Sequence, residues 1–312
     1  MTIEPISNIN LYGLESHFNE CASLYDENRL PNKILFSGKK GLGKSTLAYH
    51  IINYVCSQNE DNKYDKINNV INLENKSFKL IQNNTHPNFY LIDIFDEKKN
   101  IDIEQIRTMI TYTNKSNFNN NPRFVLIDNI EFLNKNSINA LLKIVEEPKN
   151  NLFFILIHNN ETKILTTLIS RCITFKINLS FKDVVAISNK IINKNIFEIL
   201  NKNLINSYCS PGQIFRLINY ANEKKIDLKN QTLEELLINL IDKNTYKKNT
   251  YVKELLIDLI QLFIFNKYKV SNNKINLIKI YHDFMYKIYN TNKFNLDEES
   301  LFLEFKIKLL NA

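Results

Sequence analysis

Gly38-Lys-Lys-Gly-Leu-Gly-Lys-Ser45 fits the phosphate-loop pattern G-x-x-x-x-G-K-[ST] at every position. Three of the chain's five glycines fall inside these eight residues, so the enrichment is local and not compositional. Each residue type answers to one task. Gly38, Gly41 and Gly43 let backbone N–H groups close around phosphate oxygens. Lys44 is placed to reach the β- and γ-phosphates of a nucleotide, and Ser45 to ligate Mg²⁺ through its hydroxyl. Thr46 opens the following helix, whose N-terminus adds positive potential. The run Lys33–Ser37 ahead of the loop reads as a strand, which completes the strand–loop–helix context.

The next signal outward is Arg123-Phe-Val-Leu-Ile-Asp128, an apolar strand closed by an acid. Such an acid is the expected partner of Ser45 in holding Mg²⁺, and Asp128 is assigned that role. Asn129 follows, where many ATPases carry a Glu that positions water, and an amide cannot accept a proton as a base. Glu131 reads as a solvated acid at a helix start.

Five short, mostly apolar runs read as strands: Lys33–Ser37, Asn88–Phe95, Arg123–Asp128, Asn151–Ile157 and Cys172–Ile177. Helical patterns lie between them. Asp102-Ile-Glu-Gln105 is a capping-box start, and Asn136 to Glu147 carries Ile138, Leu141, Leu142 and Val145 on one face before Pro148. The alternation predicts an α/β fold with a parallel five-stranded sheet. Residues 59–87 are polar and read as an insertion or flexible connection. Strand signals stop near residue 178, and helical patterns continue to the end, broken near Ser210-Pro211-Gly212. Thr232-Leu-Glu-Glu235 starts one helix. Others cover Val252 to Phe265, Leu277 to Tyr289 and Asp297 to Leu310, the last with acids in its first turn. The expected domains are 1–178, a nucleotide domain, 179–226, a helical lid, and 227–312, a second helical domain.

Composition narrows the setting. The 312 residues are 44% hydrophobic and 23% charged, enough for two or three globular domains. No apolar run is long enough to span a membrane, and the N-terminus lacks a secretory pattern, so a cytoplasmic location is expected. Cys21, Cys56, Cys172 and Cys209 are scattered, which fits neither a disulfide scaffold nor a zinc site. His50, His86 and His158 lack ligand spacing and read as structural. A net charge of +7 suits a nucleic-acid neighbourhood without being diagnostic.

The stretch Asn139-Ala-Leu-Leu-Lys-Ile-Val-Glu-Glu-Pro148, followed by Leu168-Ile-Ser-Arg-Cys172, resembles the clamp-loader branch of the AAA+ ATPases. With the phosphate loop and Asp102-Ile-Glu-Gln-Ile-Arg107, the likeness spans about residues 33–215. It implies an AAA+ module: a P-loop domain, a small helical lid and an all-α collar that packs against sister subunits. It implies ATP and Mg²⁺ as cofactors. Gly38, Gly41, Gly43, Lys44, Ser45, Thr46 and Asp128 would form the nucleotide site, with Asn159 sensing the γ-phosphate. Arg171, inside Ser170-Arg171-Cys172, would be a trans-acting arginine finger for a neighbouring subunit. The implied partners are motor (gamma/tau) and delta subunits, the sliding clamp, and primed DNA through the assembled complex.

Within that branch, the short chain, Ser210-Pro211-Gly212 and Asn129 resemble an accessory subunit with weak or no ATPase. Arg216 lies one turn beyond the place of a nucleotide-sensing Arg. Most relatives carry four zinc-binding cysteines after the first helix of the nucleotide domain, whereas this chain has Cys56 alone there, so no zinc is expected. Two rival readings remain: a gamma/tau-type motor subunit, and an AAA+ nucleotide switch unrelated to clamps.

Overall fold

The computed structural model describes residues 4–94, 100–115, 121–146, 151–161, 163–294 and 296–307. Two compact units result, Met1–Leu179 and Ser180–Ala312. The expected lid and collar segments both lie in the second.

The first unit is built on five parallel strands: β1 (Lys33–Ser37), β2 (Phe89–Ile92), β3 (Arg123–Ile127), β4 (Leu152–His158) and β5 (Ile173–Lys176). Their order is β2-β3-β4-β1-β5. Each expected strand is present, β1 at the expected bounds and the others at slightly different ones, and Phe95, the expected end of β2, lies outside the described residues. Among the described residues, six α-helices accompany the sheet: α1 (Glu15–Asp26), α2 (Lys44–Cys56), α3 (Lys76–Gln82), α4 (Ile103–Asn114), α5 (Lys135–Glu146) and α6 (Thr166–Ile169). Glu147 and Pro148 lie outside the described residues.

Strand side chains alternate between faces, so one sheet feeds two cores. Ile34, Phe36, Phe124, Leu126, Ile155 and Ile157 pack with Leu14, Phe18, Leu47 and Ile51 of the α1/α2 layer. Leu35, Val125, Ile127, Phe154 and Leu156 pack with Ile106 and Met109 of α4 and Leu141 and Val145 of α5. The central strands are therefore apolar on both faces between their ends. At the sheet edge, β5 is not, and Ile173 is 55% exposed.

Residues 59–87 depart from the expected flexible connection. Tyr64, Ile71, Phe78 and Ile81 are buried in the α1/α2 core, where each large apolar side chain contributes about 1.5–3 kcal/mol. Polar residues tie the rest down. Glu60 accepts the Lys76 and Ser77 N–H groups at 2.8 and 3.0 Å, capping α3. His50 Nδ1 lies 2.8 Å from the Tyr64 hydroxyl and its Nε2 lies 3.1 Å from the Asn8 carbonyl. Sparse apolar residues hid this, because four well-spaced anchors suffice when side-chain caps satisfy the backbone between them. Among the described residues no cluster of three or more His, Cys, Asp or Glu could hold a metal.

The second unit is helical: α7 (Phe181–Ile192), α8 (Ile196–Ile199), α9 (Pro211–Lys224), α10 (Leu233–Asp242), α11 (Thr250–Val270), α12 (Lys274–Phe294) and α13 (Glu298–Phe305). Ser180, Ser210 and Thr232 begin α7, α9 and α10 with capping boxes. Ser210-Pro211-Gly212 is thus a helix start, with Pro at the first turn where its missing N–H costs nothing. Asp297 caps α13, and residues 308–310 of that expected helix lie outside the described residues. No described helix is long and apolar enough to cross a membrane.

Candidate nucleotide site

The C-terminal ends of β1 to β4 converge on one polar cluster, with the glycine loop wrapped over the end of β1. Gly38 has no room for a side chain: an added Cβ would stand 2.3 Å from the Ile177 carbonyl oxygen. Gly41 and Gly43 hold φ angles of 83° and 89°, the left-handed region where glycine alone is unstrained. Two separate causes therefore fix the three glycines.

Lys44 begins α2 and is 3% exposed. Its Nζ donates to the carbonyls of Gly38 and Lys39, both at 2.7 Å, which pins the loop into a closed curve. Burial pushes its pKa down to about 8, against the opposing pull of Asp128 and Glu131. Ser45 Oγ donates to Asp128 Oδ2 at 2.6 Å. Burial raises the Asp128 carboxyl to about 6, with Asp93 adding to the effect. Thr46 is buried in the first turn of α2.

Beyond Asp128 the chain turns through Asn129 at φ 56°. The Asn129 amide is held on both sides. Its Nδ2 donates to Asp93 Oδ1 at 2.7 Å, and its Oδ1 accepts Asn159 Nδ2 at 2.7 Å. The Asn159 backbone N–H donates to Glu131 Oε1 at 3.0 Å. Glu131 is accordingly not the solvated acid expected from sequence. Its Oε2 is buried without a hydrogen-bond partner among the described residues, and burial raises its pKa. A three-residue 3₁₀ turn, Ile130–Phe132, swings Glu131 back over the end of β4, a geometry its sequence position does not reveal.

Asp93 is the residue that sequence reasoning missed. It follows the apolar β2 as Asp128 follows β3, so the same strand-then-acid pattern could have found it. Gln105 Nε2 donates to the Asp93 carbonyl at 2.9 Å, and Gln105 Oε1 accepts the Asp102 N–H at 2.9 Å, which locks the start of α4 against this end of the sheet. The cluster thus gathers Gly38, Lys44, Ser45, Asp128 and Asn159. A buried cation, a hydroxyl and a carboxylate at a helix N-terminus under a glycine cradle fit a nucleoside triphosphate with a hard divalent cation.

Arg171 is not part of this cluster. It lies just before β5, whereas the loop follows the C-terminal end of the parallel strand β1. Roughly 10 Å of strand separates the two ends. Its guanidinium engages Glu146 and Thr167: Nε donates to Glu146 Oε1 at 3.0 Å, Nη2 lies 2.7 Å from the same oxygen, and Nη1 donates to the Thr167 carbonyl at 2.8 Å. Arg216 is committed within the second unit. Its Nη1 lies 2.8 Å from Glu254 and 3.5 Å from Asp258, and its guanidinium stacks over Tyr251.

Comparison with known proteins adds lineage to this geometry. Residues 13–180 match the sequence profile of the family described as DNA polymerase III, delta subunit. A DNA polymerase III subunit delta' from Buchnera aphidicola subsp. Schizaphis graminum is 25% identical over 292 residues, covering 88% of this chain and 83% of the relative. The subunit gamma of the same organism is 32% identical over 207 residues, covering 64% of this chain and 54% of that protein. Among solved structures, a DNA polymerase III gamma subunit-related protein from Thermotoga maritima aligns over 93% of this chain and 95% of its own, at 16% identity and a TM-score of 0.48.

Proposed function

Because the chain belongs to the DNA polymerase III delta subunit family, we propose that it works as the delta-prime subunit of a bacterial clamp loader. In that role it joins motor (gamma/tau) and delta subunits and helps place the sliding clamp on primed DNA in an ATP-dependent cycle. The observation that carries the accessory reading over the motor reading is Asn129. An amide held between Asp93 and Asn159 occupies the position after the strand-end acid, and it has no basic oxygen to take a proton from water.

ATP and Mg²⁺ fit the loop. Lys44 would bind the β- and γ-phosphates, and Ser45 with Asp128 would hold the cation, which supplies charge neutralisation at the phosphates. Asn159 Nδ2 would report on the γ-phosphate through Asn129. Nucleotide then stiffens the module and does not power it. Arg171 would serve a neighbour, because it stands at the opposite end of β5 from its own loop. A guanidinium is always charged and offers paired donors to phosphate oxygens.

Affinity purification of the chain from its native cell tests the proposal. Motor and delta subunits should come with it. Recovery without replication proteins would favour a self-contained nucleotide switch, and multiple turnover by the isolated chain would favour a motor subunit.

A further inference from the structure

We propose that Glu146 is a positioning residue for Arg171, a proposal that rests on the reading of Arg171 as a trans-acting finger. A guanidinium carries five N–H groups in a rigid plane. Glu146 Oε1 takes the side edge, 3.0 Å from Nε and 2.7 Å from Nη2. The Thr167 carbonyl takes one N–H of Nη1 at 2.8 Å. Each terminal nitrogen keeps an N–H group that no described residue claims. Free N–H groups on the two terminal nitrogens are donors of the kind that a phosphate group accepts. The carboxylate therefore grips the guanidinium by the edge nearer the backbone and leaves its outer edge free.

Both supports are fixed. Glu146 closes α5, whose Leu141 and Val145 are fully buried against the sheet. Thr167 sits in α6, anchored by buried Leu168, and its carbonyl also accepts the Ser170 hydroxyl at 3.1 Å. The Arg171 N–H donates to the Leu168 carbonyl at 3.2 Å, so the side chain is held near both its ends. A long, rotamer-rich side chain is thereby aimed before any partner arrives, which removes an ordering cost from the step that uses it. The sequence element Val145-Glu146-Glu147-Pro148 and the element Ser170-Arg171-Cys172 become one device, although 25 residues separate Glu146 from Arg171.

The test uses the loader assembled with motor and delta subunits, sliding clamp and primed DNA. Four forms of this chain are compared: wild type, Glu146→Gln, Arg171→Ala and the double variant. Glu146→Gln should assemble and melt as wild type does, because Glu146 is half-exposed. It should slow clamp loading about tenfold with KM for ATP unchanged, since small losses of alignment cost up to roughly a hundredfold. Added to Arg171→Ala it should change nothing further. Wild-type loading by Glu146→Gln, beside slow loading by Arg171→Ala, overturns the positioning role and leaves the finger intact. Faster loading by Glu146→Gln overturns it too, by showing that the carboxylate parks the guanidinium. The same is true if the double variant loses a further tenfold. Wild-type loading by Arg171→Ala removes the finger reading, and the positioning role with it.

Discussion

The Ser45 hydroxyl donates to Asp128 Oδ2 at 2.6 Å, joining two residues 83 positions apart. The glycine loop and the acid-ended strand are thus one object in space, assembled by β1 and β3 running parallel on either side of β4. A hydroxyl and a carboxylate side by side, with the Lys44 ammonium buried close by, form the donor set that a magnesium nucleotide takes.

Nucleotide binding should depend on Lys44 far more than the fold does. Calorimetry with ATP and Mg²⁺ should show binding by the wild-type chain and none by Lys44→Ala. Turnover by the isolated wild-type chain should stay below about 1 s⁻¹, the low end of ordinary enzymes, because position 129 carries an amide. Binding unchanged in Lys44→Ala would remove the loop from the account.

Arg171 should be needed for clamp loading and not for assembly. Arg171→Ala in a reconstituted loader should give complexes of normal size by light scattering but slow loading. Total ATP turnover should fall only in part, since the other sites keep their own fingers. Arg171→Lys should not rescue loading, because it retains the charge and loses the fork. In related systems an arginine finger is worth about 10³–10⁵ in rate at its own site. Rescue by lysine would reduce the role to simple charge.

Acid should destabilise the first unit through His50. Burial holds its pKa at about 4, well below the ordinary 6.5. Between those values the unfolded chain binds a proton that the folded chain does not, so stability is present above pH 6.5 and is lost as pH falls through 4. Such a group accounts for about 3 kcal/mol. Denaturant unfolding of wild type and His50→Gln at pH 7 and pH 4.5 should show a smaller acid loss in the variant. Equal losses would mean that other groups carry the acid sensitivity.

Arg216 should matter for stability and not for nucleotide. Its charge is 14% exposed and lies against Glu254 and Asp258. Arg216→Met should lower the stability of the second unit by about 2 kcal/mol, because both carboxylates lose this cationic neighbour. ATP affinity of the isolated chain should be unchanged when measured by calorimetry. A tenfold weaker affinity would restore the nucleotide-sensing role that its sequence position suggested.

The sheet and loop were legible because their signals are local. Buried parallel strands must be apolar throughout, and a phosphate loop leaves its eight residues in order. Ser45, Asp128 and Asn159 each follow a strand or loop that the pattern marks. Glu131 was misread because its role depends on a turn that brings it to the end of β4, and no periodicity encodes such a turn. Asp93 went unnoticed because an acid after a strand is common until its neighbour across the sheet is known. Residues 59–87 misled for a different reason. Their apolar anchors are few, and the hydrogen bonds of Glu60 and His50 that hold them are long-range.

The most direct test of the clamp-loading role omits this chain. Purified motor and delta subunits, sliding clamp, primed DNA and ATP are mixed with and without it, and clamp closed on DNA is counted over time. Loading should be slow or absent without the chain and restored when it is added at one copy per complex. Equal loading in both mixtures, with the chain failing to enter the complex, would contradict that role.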